Sequence, residues 1–144
     1  MALIREYFEY QDKYEKKYGH KTIVLMEVGS FIEIYGIETD SVKKGRMSEI
    51  IEITGWCVGT KKGNLTEYNV EQVQMAGFPN YTLDKWKEFI LKKGYTVIII
   101  EQDSHGTKGP NRNITEVVSP GTNINNNAFS NNLMSVYLEE LKDF

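Results

Sequence analysis

Cysteine, basic charge and long apolar runs are all scarce in this chain of 144 residues. Cys57 is the only cysteine, which excludes an internal disulfide and any metal site built on paired cysteines. Seventeen Lys and Arg residues are outnumbered by 20 Asp and Glu, giving a net charge of −3. A self-sufficient nucleic-acid-binding domain usually carries a basic excess, so any DNA contact must depend on a local feature or on domains outside the chain.

No apolar run approaches the length needed to cross a membrane. The first 17 residues contain acids, such as Glu6, Glu9 and Asp12, and lack the apolar run of a signal peptide. We therefore predict a soluble, intracellular protein. Its composition, 40% hydrophobic and 26% charged, is that of an ordinary globular domain with a real core.

Hydrophobic periodicity and turn residues predict helices alternating with strands. The predicted helices cover residues 3–18, from Asp40 or Ser41 to about Ile51, and 82–93. The predicted strands cover residues 22–28, the stretch from Phe31, 53–60, 71–78, 95–100 and 113–118, with a turn at 61–64 and a polar loop at 104–111. We expect an α/β (α+β) fold, in which a mixed six-stranded sheet is flanked by about three helices.

A domain boundary is predicted near Thr122. Pro120 and Gly121 break the chain there, and an Asn-rich stretch follows at residues 123–127. Residues 1–122 form the predicted domain. Residues 123–144 are predicted to be a linker and the truncated start of a further domain, with a helix beginning near Ser130.

The stretch from Phe31 to Tyr35 has an unusual arrangement of side chains for a strand. Alternation places Ile32 and Ile34 on one face and Phe31, Glu33 and Tyr35 on the other. The isoleucines form the obvious core face, which leaves a Phe and a carboxylate side by side on the opposite face. Exposed apolar surface of this kind often marks a binding site. The alternative is that Phe31 packs under a neighbouring helix, with Glu33 at the rim of the sheet.

Four motifs, in order over residues 4–122, resemble the N-terminal mismatch-recognition domain (domain I) of the MutS family of DNA mismatch-repair proteins. Residues 29–35 are similar to the family's Gly-Asp-Phe-Tyr-Glu-Leu-Phe, which contains its Phe-x-Glu motif, and residues 75–79 to its Met-Ala-Gly-Ile/Val-Pro. Residues 93–102 are similar to the end of its Lys-Lys-Gly-Tyr-x-Val-Ala-Ile-Cys-Glu-Gln. Residues 108–110 and 116–122 are similar to its Lys-Gly-Pro and Arg-Val-Val-Thr-Pro-Gly-Thr. The chain departs from the pattern at Ser30, at Ile32 and at residues 80–81, where Asn-Tyr replaces the common Tyr-His.

The resemblance implies a function for the Phe-x-Glu pair. Phe31 would wedge into the minor groove and stack on a mispaired base, and Glu33 would hydrogen-bond that base. The expected partner is double-stranded DNA with mismatches or small loops. Because a carboxylate is repelled by phosphates, we interpret Glu33 as a discriminating residue, which must carry a proton if it faces a base acceptor such as N7.

The resemblance also implies that ATP and Mg²⁺ are bound by an ATPase domain of a longer, dimeric, DNA-associated parent protein. No glycine-lysine phosphate-loop motif occurs in this chain, and we expect no cofactor within it. We predict a binding module with no catalytic residue. The alternative is a structural paralogue that does not read DNA and keeps the fold for protein contacts.

Four loop cations are candidate contacts to DNA phosphates: Lys61, Lys62, Lys108 and Arg112. Ordinary solvated surface cations would have the same pattern. No metal site is predicted, because Glu101, Asp103 and His105 form a sparse arrangement that is usually just surface.

Overall fold

The structure is a computed structural model that describes residues 2–103 and 111–120. Within these residues the chain forms three helices and seven strands. The helices are α1 (Ala2–Tyr18), α2 (Met47–Thr54) and α3 (Leu83–Lys92). The strands are β1 (Thr22–Val28), β2 (Phe31–Glu38), β3 (Lys43–Lys44), β4 (Gly59–Leu65), β5 (Val70–Pro79), β6 (Thr96–Asp103) and β7 (Asn111–Val118). Single 3₁₀ turns, Thr66–Tyr68 and Asn80–Thr82, precede β5 and α3.

The strands form one mixed sheet in the order β4-β5-β2-β1-β6-β7, with the short β3 paired to β2. β1 and β6 run parallel, and the other neighbouring strands run antiparallel. Residues 23–26 of β1 and 97–100 of β6 are all buried. Such continuous burial is typical of strands covered on both faces. The predicted α/β fold, a mixed sheet with three helices, is confirmed.

Helix α1 covers one face of the sheet and replaces a neighbouring strand beside β1. Strand β2 pairs with β1 only from Met26 to Val28, so the edge of β1 is open before that point. The buried Gln11 fills the gap, because its Oε1 accepts the N–H of Val24 at 2.9 Å and its Nε2 donates to the carbonyl of Thr22 at 2.7 Å. The Tyr7 hydroxyl donates to the carbonyl of Val24 at 2.9 Å. Polar groups of the backbone that would otherwise be buried without partners are thus paired.

Helices α2 and α3 cover the opposite face. Ile32 lies opposite Phe78 on β5, and the Phe78 ring is 6.2 Å from the ring of Trp86 in α3. Gly36 points to the same face as Ile32, and a Cβ added there would lie 2.7 Å from the Cβ of Met47 in α2. The central part of β2 is therefore enclosed on both sides.

The predicted start of the second helix is wrong. A helix was expected from Asp40 or Ser41, but α2 begins at Met47 and residues 43–44 pair with β2 instead. Gly45 explains the difference, because its φ of +81° lies outside the helical region. The chain turns there so closely that a Cβ would be 2.6 Å from the carbonyl oxygen of Tyr35.

The predicted positions of a strand at 53–60 and a turn at 61–64 are also wrong. Helix α2 continues to Thr54, and residues 61–62 belong to β4, where they pair with β5. The reversal comes later, in the Thr66–Tyr68 turn, where Asn69 takes the left-handed conformation with φ +55°. Gly63 lies at an irregularity in the β4–β5 pairing rather than in a turn. The turn-forming residues at 61–64 therefore mark an irregularity within a strand, and the sequence pattern alone does not distinguish such an irregularity from a chain reversal.

The predicted loop at residues 104–111 is wrong at its end, because Asn111 already belongs to β7. Residues 104–110 of that loop, the boundary near Thr122 and the helix from Ser130 lie outside the described residues. Within residues 2–103 and 111–120, the helices are all too short or too polar to cross a membrane.

Candidate functional site

The β1–β2 hairpin forms the tip of the candidate site. Its loop has only two residues, Gly29 and Ser30, between the paired Val28 and Phe31. Gly29 has a φ of +62°, which non-glycine residues rarely adopt. Glycine with positive φ at the first loop position is the requirement of a type II′ turn, whose twist suits two-residue hairpins.

Phe31 is the first residue of β2, and 46% of its surface is exposed. It lies opposite Val28 on one side and Pro79 on the other. Tyr35, four residues further along the same strand face, is buried with its ring 5.1 Å from that of Tyr7 in α1. Helix α1 therefore covers the middle of this face but leaves Phe31 exposed. The alternative considered from the sequence, in which Phe31 packs under a neighbouring helix, is wrong.

Glu33 lies between the exposed Phe31 and the buried Tyr35, and its side chain is 15% exposed. Its Oε1 accepts hydrogen bonds from the Tyr35 hydroxyl and from the Lys61 ammonium, the latter at 3.1 Å. Burial raises the pKa of the Tyr35 hydroxyl, and its hydrogen bond to Glu33 raises that pKa further. The hydroxyl therefore stays protonated at neutral pH and serves as a donor.

The predicted cations have different surroundings. Lys61 is engaged with Glu33, whereas Lys62 is exposed and has no ion-pair partner among the described residues. Arg112 lies beside the hairpin, where its Nε donates to the carbonyl of Glu27 at 2.9 Å. Lys108 falls outside the described residues. The structure thus brings two of the four, Lys61 and Arg112, into contact with β1 or β2.

A network around Glu27, which was not identified from the sequence, fixes the hairpin. Glu27 Oε1 accepts the backbone N–H of Gln102, and its Oε2 accepts the side-chain amide of Asn80, both at 3.0 Å. The backbone N–H of Asn80 donates to the carbonyl of Ser30 at 2.8 Å. The sequence did contain a signal for this network. Glu27 and Gln102 are polar residues near the ends of two apolar strands, and the carboxyl ends of parallel neighbouring strands meet at one edge of a sheet.

Tyr81 is a second exposed aromatic residue near the hairpin. It follows Asn80 in the turn after β5, and 85% of its surface is exposed. The sequence showed it only as a departure from the family pattern, with no role assigned. The structure places it two residues beyond Pro79, the cross-strand partner of Phe31.

No metal-binding group is found in the part of the chain that the structure describes, where no three His, Cys, Asp or Glu side chains are arranged to hold an ion. His105, considered with Glu101 and Asp103, lies outside that part.

Comparison with known proteins gives consistent matches. The family profile described as MutS domain I matches residues 2–127. A DNA mismatch repair protein MutS from Parabacteroides distasonis is 34% identical over 128 residues, which is 87% of this chain and 13% of that protein. The protein of the same name from Methanosarcina barkeri is 32% identical over 136 residues, 89% of this chain and 14% of that protein. The chain thus corresponds to about one seventh of the length of these relatives.

Proposed function

Because the chain belongs to the MutS domain I family, we propose that it is the mismatch-recognition module of a DNA mismatch-repair protein. Phe31 is the wedge that enters the minor groove at mispaired or unpaired bases, and Glu33 contacts the displaced base. The observation that carries this proposal is the exposure of Phe31 at the hairpin tip, next to a carboxylate that is held in place.

The energetics of a wedge favour defective base pairs. Inserting an apolar ring unstacks a base step and kinks the duplex, at a cost of a few kcal/mol. The cost is lower where a base is already poorly paired. Stacking on an aromatic ring returns about 1–3 kcal/mol per base. The module then selects deformable sites without reading a particular sequence.

Glu33 provides discrimination in this proposal. An acidic group near phosphates disfavours intact duplex, and a displaced base compensates by forming a hydrogen bond with it. With a net charge of −3, the chain gains little affinity from counterion release. We therefore propose that most of the DNA affinity, together with ATP and Mg²⁺ binding and dimerisation, belongs to further domains of a longer intracellular protein.

The test uses the complete gene product and compares binding to a G·T duplex with binding to its G·C parent. Phe31→Ala should remove the preference for the mismatch, because the stacking ring is lost. Tyr18→Ala is the control, since Tyr18 is 41% exposed but lies at the C-terminal end of α1, near the start of β1 and away from the hairpin. If Phe31→Ala retains the preference, the domain is a structural module that does not read DNA.

A second variant tests the role of the carboxylate. Glu33→Gln keeps the shape of the side chain and removes its charge, so affinity for the G·C duplex should rise. Unchanged affinity for that duplex would contradict discrimination by Glu33, but it would not affect the proposed role of Phe31 as the wedge.

A further inference from the structure

The two carboxylate oxygens of Glu33 have different environments. Oε1 accepts hydrogen bonds from the Tyr35 hydroxyl and from Lys61 Nζ, which occupy its two lone pairs. Oε2 has no donor among the described residues. Glu33 therefore has one oxygen bound to the protein and one that is available to a ligand.

We propose that Lys61 and Tyr35 are positioning residues of the DNA-reading site, which fix Oε1 of Glu33 and present Oε2 to a displaced base. This inference rests on the proposed function and extends it, because it assigns the two residues and the oxygen on which recognition depends. A proton needed to bond a base acceptor would have to lie on Oε2.

The surroundings of Lys61 match this role. Lys61 lies on β4, and its ammonium reaches across β5 to a carboxylate on β2. The same nitrogen lies 3.2 Å from the Tyr35 hydroxyl oxygen and 5.3 Å from the centre of the Tyr35 ring. The side chain is only 25% exposed, so the charge is directed into the sheet surface rather than extended toward solvent. A lysine that served only as a phosphate contact would need none of these interactions.

Tyr35 is a rigid donor, and its hydroxyl is a feature of this chain, because the family motif has Phe at this position. Its ring is fully buried and meets the Tyr7 ring edge-on, so the hydroxyl position is fixed by the core. A donor held in this way loses little conformational entropy when it orients a neighbouring group. Lys61 adds a second, charged donor to the same oxygen, so Oε1 is held by groups from two different strands.

The experiment measures the affinities of the complete gene product for the G·T and G·C duplexes at several salt concentrations. Lys61→Met and Tyr35→Phe should each lower the ratio of the two affinities by about five- to tenfold, since each removes one donor to the reading carboxylate. The salt dependence should stay unchanged, because no phosphate contact is lost. Lys61→Arg, which can also donate to Oε1, should restore most of the ratio.

Two matched variants separate this effect from simple loss of charge or hydroxyl. Lys62→Met removes the same charge from the next residue of β4. If Lys62 contacts a phosphate, the affinities for both duplexes fall equally, so the ratio should not change. Tyr95→Phe removes a hydroxyl that also bonds a carboxylate, that of Glu49, but Tyr95 lies just before β6 and far from the hairpin. It should likewise leave the ratio unchanged.

A double-mutant cycle decides whether Lys61 acts through Glu33. In a Glu33→Gln background, Lys61→Met should have no further effect on the ratio. If Lys61→Met instead weakens binding to both duplexes equally and lowers the salt slope by about one, Lys61 is a phosphate contact and the inference is overturned. Loss of mismatch preference in Phe31→Ala with an unchanged ratio in Lys61→Met defeats the inference alone, whereas an unaffected Phe31→Ala defeats the proposed function.

Discussion

The side chain of Gln102 bonds both backbone groups of Gly29. Its Nε2 donates to the Gly29 carbonyl at 2.8 Å, and its Oε1 accepts the Gly29 N–H at 3.2 Å. Gly29 has no strand partner, so these bonds replace the pairing that a β-ladder would supply. The hairpin turn is thus fixed from the end of β6.

Gln102→Ala should destabilise the 144-residue chain by about 1–2 kcal/mol, because it removes two hydrogen bonds worth about 0.5–1.5 kcal/mol each. The main-chain bond from Gln102 to Glu27 remains in this variant, so the loss reports the side chain alone. Urea unfolding measures the change, and hydrogen exchange should show faster opening of the Gly29 amide.

Gln72→Ala is the matched control for that substitution. Gln72 is exposed on β5, and its side chain makes no hydrogen bond within the described residues. It should change stability by less than about 0.5 kcal/mol. Equal effects of the two substitutions would show that the hydrogen bonds from the Gln102 side chain to Gly29 do not contribute to the free energy of unfolding.

Gly77→Ala should be strongly destabilising, because β5 approaches β2 too closely for a side chain at this position. A Cβ there would lie 2.1 Å from the carbonyl oxygen of Ile32 and 3.2 Å from the Cα of Glu33. Relieving the clash requires the strands to separate beside the site, at a cost of about 1–3 kcal/mol or more. Denaturant unfolding measures the loss.

Gly59→Ala, on the edge strand β4, provides the comparison for Gly77→Ala. Its nearest neighbour would be the carbonyl oxygen of Met75 at 4.0 Å, an ordinary contact distance. It should be tolerated within about 0.5 kcal/mol. Similar losses at the two glycines would contradict the steric explanation.

Stability should fall in acid partly through Glu67. The hydrogen bond from Arg5, at 2.8 Å, lowers the pKa of the Glu67 carboxyl to about 2 from its usual 4.5. A carboxyl whose pKa is lower in the folded state stabilises the fold above the unfolded pKa, and this contribution disappears as pH falls from about 4.5 through about 2. Glu67→Gln should therefore lower the urea midpoint at pH 7, and the difference from the unmodified chain should shrink by pH 3.

Glu71→Gln serves as the control for that pH series, because Glu71 is exposed on β5 with no ion-pair partner in the described part of the chain. The pair of Arg5 and Glu67 is 42% exposed on both sides, so added salt should weaken its effect. A Glu67→Gln difference that stays constant from pH 7 to pH 3 would exclude the pair as its source.

The sequence predicted the fold well where periodicity and local conformation agree. The strand at 22–28 is observed with the same bounds, because its near-continuous apolar character, with Gly19 before it and Gly29 after it, leaves few alternatives. The helix expected from residue 40 failed because Gly45 is required by contact with Tyr35, which is distant in sequence. The turn expected at 61–64 failed because pairing with β5 outweighs the local preference of Gly63 and its neighbours.

For the candidate site, the sequence predicted which way the side chains at the hairpin tip point, but not the residues that hold them. Alternation along one strand was enough to place Phe31 beside Glu33 and opposite in direction to Ile32. The partners of Glu33, by contrast, depend on which strands become neighbours, and nothing near Lys61 in the sequence indicates that it crosses β5 to reach β2. The contacts of Glu27 and Gln102 depend in the same way on the parallel pairing of β1 with β6.

The contacts that shape the hairpin come from the end of β1, the turn after β5, the end of β6 and the seventh strand. A synthetic peptide covering only residues 22–38 would therefore contain the ring and the acid but not their geometry. During synthesis on the ribosome, the chain can form the complete set of hairpin contacts only after Arg112 has emerged and folded into place. Incomplete copies should consequently lack the arrangement of Phe31 and Glu33 on which the proposed function depends.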